Sequence, residues 1–361
     1  MTSSSRSSSL ARAAALLGGA TLVAAASAGA QGSERHTLRG DAAIWNLAGT
    51  VHVVPATGGG SDVVVDVVRR GADAGKLRVE AGQLRGTDAV RVIFPDDDII
   101  YPALGGGSRY RTRLQSDGTW NGSWDRGAFS SSTIQVRGSG RGTEAWAEVT
   151  AAVPTGARLT VHLAVGDATV QNVDGDNKID VDAADVTTEL TRGRLAVDAG
   201  SGRVRLNGAQ GDVDLDLGSG SVDLRDVSAS RLKVDGGSGS LTGANVAAPS
   251  IDLDLGSGGT RLANLTTREL RLDSGSGEVD LDFASDVEDV RIDTGSGGIT
   301  LRVPPTLGAT LDIDTGSGGI ESDLPIQITR KEHDHLRGQI GDGKGRIVID
   351  GGSGGVRIRK R

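Results

Sequence analysis

Ile251-Asp252-Leu253-Asp254-Leu255-Gly256-Ser257-Gly258-Gly259-Thr260-Arg261-Leu262-Ala263-Asn264-Leu265 is the stretch on which the reading of this chain turns. Its first five residues alternate apolar with acidic. Ile251, Leu253 and Leu255 therefore share one face of a strand and Asp252 and Asp254 the other. A Gly-Ser-Gly triplet follows, and then a second strand-like run. Outward from here the triplet recurs, beginning at Gly218, Gly237, Gly256, Gly275, Gly295 and Gly316, with a related Gly200-Ser201-Gly202 before them. Successive spacings are 18, 19, 19, 19, 20 and 21 residues.

Such regular recurrence predicts a repeat architecture. One unit cannot bury its own apolar face, whereas units stacked on copies of themselves build a continuous core of Leu, Val and Ile. The expectation is an all-β β-solenoid, single-stranded β-helix-like, with about nineteen-residue repeats. The alternative is an antiparallel sandwich or barrel of hairpins with Gly-rich turns. Corners that keep one composition at one spacing favour the solenoid. Glycine suits those corners because it reaches backbone angles closed to other residues and lets chain pass close to chain.

Composition agrees. The chain has 56 Gly but only 3 Phe, 2 Tyr and 4 Trp, which fits a narrow interior filled by aliphatic side chains rather than a compact globule with aromatic bulk. With no Cys, structural disulfides, thiol catalysis, Cys-ligated metal and a Cys-linked lipid anchor are excluded. A formal net charge of −8 with no basic stripe argues against nucleic-acid binding.

Residues 1–30 read as a secretory signal: Arg6 and Arg12 precede an apolar, small-residue stretch over 13–26, and Ala28-Gly29-Ala30 offers a cleavage site. No other apolar run of membrane length follows, so no integral membrane segment is expected after cleavage. Residues 31–150 read as an N-terminal β region, either degenerate first coils or a cap. Within it, 96–145 form an irregular excursion that holds five of the nine aromatic residues. Residues 151–361 form the regular Gly-Ser-Gly body, with a degenerate coil expected at 325–345 around Arg330-Lys331-Glu332-His333-Asp334-His335.

Two sets of candidate site residues stand out. In the excursion, Tyr101, Tyr110, Trp120 and Trp124 interleave with Arg109 and Arg111, a combination suited to a sugar, peptide or protein ligand. The plainer reading of the same residues is a flap whose aromatics anchor it over a groove. In the body, Asp252, Asp254 and Asp273 belong to an acidic series that also includes Asp214, Asp216, Asp235, Asp293, Asp312 and Asp314. Stacked carboxylates are hard oxygen ligands suited to Ca²⁺, while His333 and His335 lie two apart, so that on a strand both imidazoles would share a face and could meet one zinc ion. Against a metal stands the solvated-face reading, since these acids recur coil after coil. No cofactor is expected.

The Val-Asp-x-x-x-Gly-Ser-Gly beats resemble the bacterial "putative adhesin" domain family of exported proteins, related to autotransporter adhesin head-like domains. Gly40-Asp41-Ala42-Ala43-Ile44-Trp45-Asn46-Leu47-Ala48-Gly49, Pro154-Thr155-Gly156-Ala157, Val165-Gly166-Asp167 and Asn172-Val173-Asp174-Gly175 are similar to that family's pattern. The resemblance implies a right-handed all-β solenoid in a bacterial cell envelope, periplasmic or cell-surface associated, and supplies no catalytic residue. The expected function is thus a non-enzymatic, adhesin-like binding scaffold or structural envelope component. Its expected partner is an envelope protein or polysaccharide, and its expected state a monomer. The alternative is a carbohydrate-active β-helix enzyme working through surface carboxylates.

Overall fold

A computed structural model describes residues 33–120 and 131–361. The signal-peptide expectation at 1–30 therefore lies outside the described residues, as does Trp124. The described chain is all-β, with no α-helix and two single-turn 3₁₀ segments, Ala74–Lys76 and Pro102–Leu104.

The alternation read along 251–255 becomes a strand, Ser250–Leu255, with Ile251, Leu253 and Leu255 buried and Asp252 and Asp254 turned outward. Its neighbours are the corresponding strands of the beats before and after. Lys233 pairs with Asp252 and Asp252 with Arg271, both in parallel register and both nineteen residues apart. The displacement is eighteen residues between Arg158–Gln171 and Asp174–Glu189, and twenty between Glu269–Ser276 and Asp289–Ser296. Backbone hydrogen bonds thus run from coil to coil, and the inward Leu, Val and Ile columns merge into one core.

The Gly-Ser-Gly corner exists because backbone lies on backbone. A Cβ placed on Gly258 would sit 1.7 Å from the carbonyl oxygen of Gly239, and one on Gly239 would sit 1.6 Å from that of Gly220. Close approach, rather than an unusual dihedral, excludes side chains at these two positions. Ser257 between the glycines points to solvent while its N–H donates to the Gly237 carbonyl at 3.0 Å.

A second corner has no constant sequence. In six successive coils the residue at this corner takes the left-handed conformation: Asn172, Leu190, Gly208, Asp226, Asn245 and Asn264, with φ between 52° and 73°. Three of these side chains are linked, Asn245 Nδ2 donating to Asp226 Oδ1 at 2.7 Å and Asn264 Nδ2 to Asn245 Oδ1 at 2.8 Å. Arg361 Nη2 closes the series on Asn264 Oδ1 at 2.8 Å.

Both ends depart from simple succession. Ala42–Pro55 is a true coil, covered on one side by Arg158–Gln171 and on the other by Thr87–Ile93 and Trp146–Val153. Beyond these the pairing turns antiparallel, through Arg78–Leu84, Val63–Arg70 and Glu34–Leu38. The N-terminal region is therefore coil and cap together, and the antiparallel layer covers an otherwise open edge.

At the other end, Asp289–Ser296 pairs with Gly345–Asp350, and Gly345–Asp350 pairs in turn with Ala309–Asp314. In the same way Val356–Lys360 lies between Ile299–Val303 and Ile320–Ser322. The last coil in sequence is thus the penultimate coil in space. Residues 325–345 are not a degenerate coil, contrary to expectation. Gln327–Lys331 and His335–Ile340 form an antiparallel hairpin whose second strand pairs antiparallel with Ala309–Asp314. A further parallel coil would expose a fresh edge, whereas the hairpin ends the stack.

Candidate functional site

The coil register sorts the acidic residues of the body into rows. Two residues apart on one strand, side chains share a face, and parallel stacking carries each position to its counterpart about 4.8 Å away. One row is continuous: Asp180, Asp198, Asp216, Asp235, Asp254, Asp273, Asp293, Asp350 and Asp314, each paired with the next. Nine coils therefore present nine aspartates in line. A histidine stands at each end, His162 opposite Asp180 and His335 opposite Asp314.

The row two residues earlier is mixed, running Lys178, Ala196, Asp214, Lys233, Asp252, Arg271 and Arg291. On the other side the aspartates are bordered by exposed corner serines such as Ser219, Ser238, Ser257 and Ser276. The aspartate row is thus a strip of one sign beside a row with four cations and two acids, and a hydroxyl edge. Like-charged neighbours oppose ionisation, and the effect is visible within the row. The Asp198 carboxyl is raised above its ordinary range by burial and then by Asp180 and Asp216. Asp293 is raised by burial and then by Asp350 and Asp273.

The two ends differ. His162 Nδ1 lies 3.0 Å from Asp180 Oδ2, and its ring stacks on Trp45 with centroids 3.6 Å apart. At the far end His335 Nε2 lies 2.8 Å from Oδ1 of Asp312, in the neighbouring row, where Arg337 Nε also donates at 3.1 Å. Those two partners, Arg337 foremost, hold Asp312 below the usual carboxylate range.

The candidate metal residues are not brought to one point. Asp254 and Asp273 are neighbours in the aspartate row, but Asp252 belongs to the mixed row, between Lys233 and Arg271. His333 is exposed in the hairpin turn, and His335 faces Asp312 and Asp314 at the end of the stack. Among the described residues no group of three or more His, Cys, Asp or Glu is arranged to hold one metal ion. Strand geometry spreads these side chains along the coils instead of converging them.

The excursion likewise differs from a displayed aromatic patch. Its strands Arg109–Gln115, Ser131–Arg137, Asp98–Ile100 and Thr143–Glu144 make a small sheet of their own. Tyr101 and Trp120 are each only 3% exposed. Trp120 meets Trp45 edge-on at 5.0 Å, and the Tyr110 hydroxyl donates to Asp182 Oδ2. Burial pushes the Tyr101 phenol up to about 12, and Tyr110 is raised by burial and by its bond to Asp182. Arg109 and Arg111 stay at the surface. The aromatics therefore dock a flap over the N-terminal end of the row, where Trp45 and His162 continue the line of the aspartates. The residues missed by sequence reasoning are Trp45, His162, Asp180, Asp198 and Asp350. His162 stands eighteen residues before Asp180, which was the available signal.

Parallel β coils in constant register with a linear charged face define a repeat protein built from one Gly-Ser-Gly unit. The chain belongs to the Toastrack DUF4097 family, whose pattern matches residues 131–359. No curated protein matches the chain. Among solved structures it is similar to one described as "a putative cell adhesion protein" from Clostridium sporogenes, at 9% identity and a TM-score of 0.21, covering 92% of this chain and 100% of that one. So distant a likeness has no bearing on function.

Proposed function

We propose that this protein is an exported, non-enzymatic, right-handed β-solenoid of the bacterial cell envelope, acting as an adhesin-like binding scaffold through its aspartate row. The hand follows from the strong preference of parallel crossover connections. The observation that carries the reading is the row itself: nine carboxylates at one spacing on rigid strands. Such a strip presents a repeating negative charge to a cationic polymer, a basic protein face or divalent cations gathered along it. An active site breaks a repeat to place different groups at one point, whereas each interior aspartate here lies between two other aspartates of the same row. A leader of the kind read at 1–30 fits the exported setting. Among the described residues no helix is long and apolar enough to cross a membrane.

The test is binding of the purified protein to immobilised polylysine, chitosan and neutral or acidic polysaccharides, with and without Ca²⁺. The scaffold reading expects retention on the cationic polymers, lost in the triple variant Asp235→Asn, Asp254→Asn, Asp273→Asn with its circular dichroism unchanged. Retention unaffected by the triple variant would remove the row from the function. Release of sugar products, abolished by replacing one aspartate, would replace the scaffold with the enzyme.

A further inference from the structure

We infer that the coil formed by residues 345–360 is an exchangeable segment, and that the slot it fills accepts the same segment of a second copy of this chain. The two walls of the slot, 289–303 and 309–322, are consecutive in sequence and joined only by 304–308. They stand two strand spacings apart, on the order of 10 Å, with the later coil between them. A chain laid down in order makes both walls before their filling. The filling is joined to what precedes it by 341–344, a turn in which Gly341 and Gly343 take φ of 57° and 70°.

The slot is also matched to the segment in kind. Its inward positions read Val290, Ile347 and Leu311 across the three coils, then Ile292, Ile349 and Ile313. Walls and filling carry the same Gly-Ser-Gly corner, with a Cβ on Gly354 placed 1.7 Å from the Gly297 carbonyl oxygen. Any copy of the chain supplies this pattern. Charge adds direction: Arg359 lies 2.7 Å from Asp323 and 2.8 Å from Glu321 on the outer wall, and Arg361 lies 3.1 Å from Asp282. An inserted strand hydrogen-bonded on both sides is the geometry by which one chain completes the sheet of another, so a segment from a second copy would make the same contacts.

Exchange is governed by concentration. If identical contacts form in either arrangement, the swapped fraction follows protein concentration divided by the effective concentration of the tethered segment, on the order of 1 mM for a short link. Refolding should then give about 1% linked dimer at ~10 μM and about 10% at ~100 μM.

Arg291 and Val348 are paired in register, a Cα separation open to a disulfide, and the chain has no other cysteine. Copies carrying Arg291→Cys are unfolded, mixed with copies carrying Val348→Cys, and refolded under mild oxidation. The expected result is a mixed disulfide dimer that rises tenfold with the tenfold concentration step. It should be absent when Asp252→Cys, two coils outside the slot and paired with neither Arg291 nor the filling segment, replaces Val348→Cys. No mixed dimer, or an equal yield with Asp252→Cys, overturns the proposal. The double variant Arg291→Cys, Val348→Cys, closing its disulfide within one chain, checks that the substitutions leave the fold intact. Should they not, the unsubstituted chain decides: dimer growing with refolding concentration supports exchange, and a monomer at every concentration overturns it.

Discussion

Asp252→Asn and Asp254→Asn should move stability in opposite directions although the two residues sit two apart on one strand. Asp254 lies between Asp235 and Asp273, so neutralising it removes two repulsions. Asp252 lies between Lys233 and Arg271, so neutralising it removes two attractions. Two unit charges ~4.8 Å apart at the dielectric of water interact by about 0.9 kcal/mol. Screening at physiological salt, with a Debye length of about 8 Å, leaves roughly half of that. Two neighbours then give on the order of 1 kcal/mol, less where the side chains splay. Asp254→Asn is expected to raise the urea midpoint and Asp252→Asn to lower it. The gap of about 2 kcal/mol should close toward zero in ~1 M salt, where the Debye length is about 3 Å. Midpoints that shift in the same direction, or a gap indifferent to salt, would refute the separation into one acidic and one mixed row.

Gly258→Ala should cost about 2–5 kcal/mol, because its Cβ would fall 1.7 Å from the Gly239 carbonyl oxygen and force the corner open, while exposed Ser257→Ala stays within about 0.5 kcal/mol; paired denaturation curves compare them. Leu190 is 54% exposed at φ 52°, so Leu190→Asn, which joins the left-handed corner series, should stabilise by about 1 kcal/mol in the same assay. The raised carboxyls of Asp198 and Asp293 mean that the folded chain holds these protons more tightly than the unfolded chain, whose ordinary value is 3.8. Their destabilising effect is present in full above the folded-state range and fades as pH falls through that range toward 3.8, so the advantage of Asp198→Asn over the natural chain should shrink between pH 7 and pH 4. A constant advantage across that interval would show that neither burial nor the neighbouring aspartates raise these carboxyls. Tyr110→Phe, which removes the bond to Asp182, should speed amide exchange across Arg109–Gln115 and leave Ser250–Leu255 unchanged.

Much of this was legible in the chain itself, and for local reasons. Alternation over 251–255 names the buried face, since side chains on a strand point to opposite sides whatever lies beyond. The Gly-Ser-Gly interval gives the coil length, since only residues without Cβ let one backbone lie on the next. The second corner was illegible because several residue types tolerate the left-handed turn, and Leu190 occupies it as Asn245 does. The acidic residues were visible, but as one series in which Asp252 and Asp254 counted alike. Only register distinguishes a residue facing cations from one facing carboxylates.

The sequence by itself determined the unit: its length, its inward aliphatic face, its outward acids and the corners that allow close stacking. Tertiary structure alone decided the order of the units and the fate of their interruptions. It set coil 345–360 between 289–303 and 309–322, turned 327–340 into a closing hairpin, and folded the aromatics near Trp120 inward against Trp45. The physical reason is degeneracy. Coils sharing one pattern fit against one another in any order, so local chemistry specifies each coil but not its neighbour, and closure of the two ends selects the arrangement.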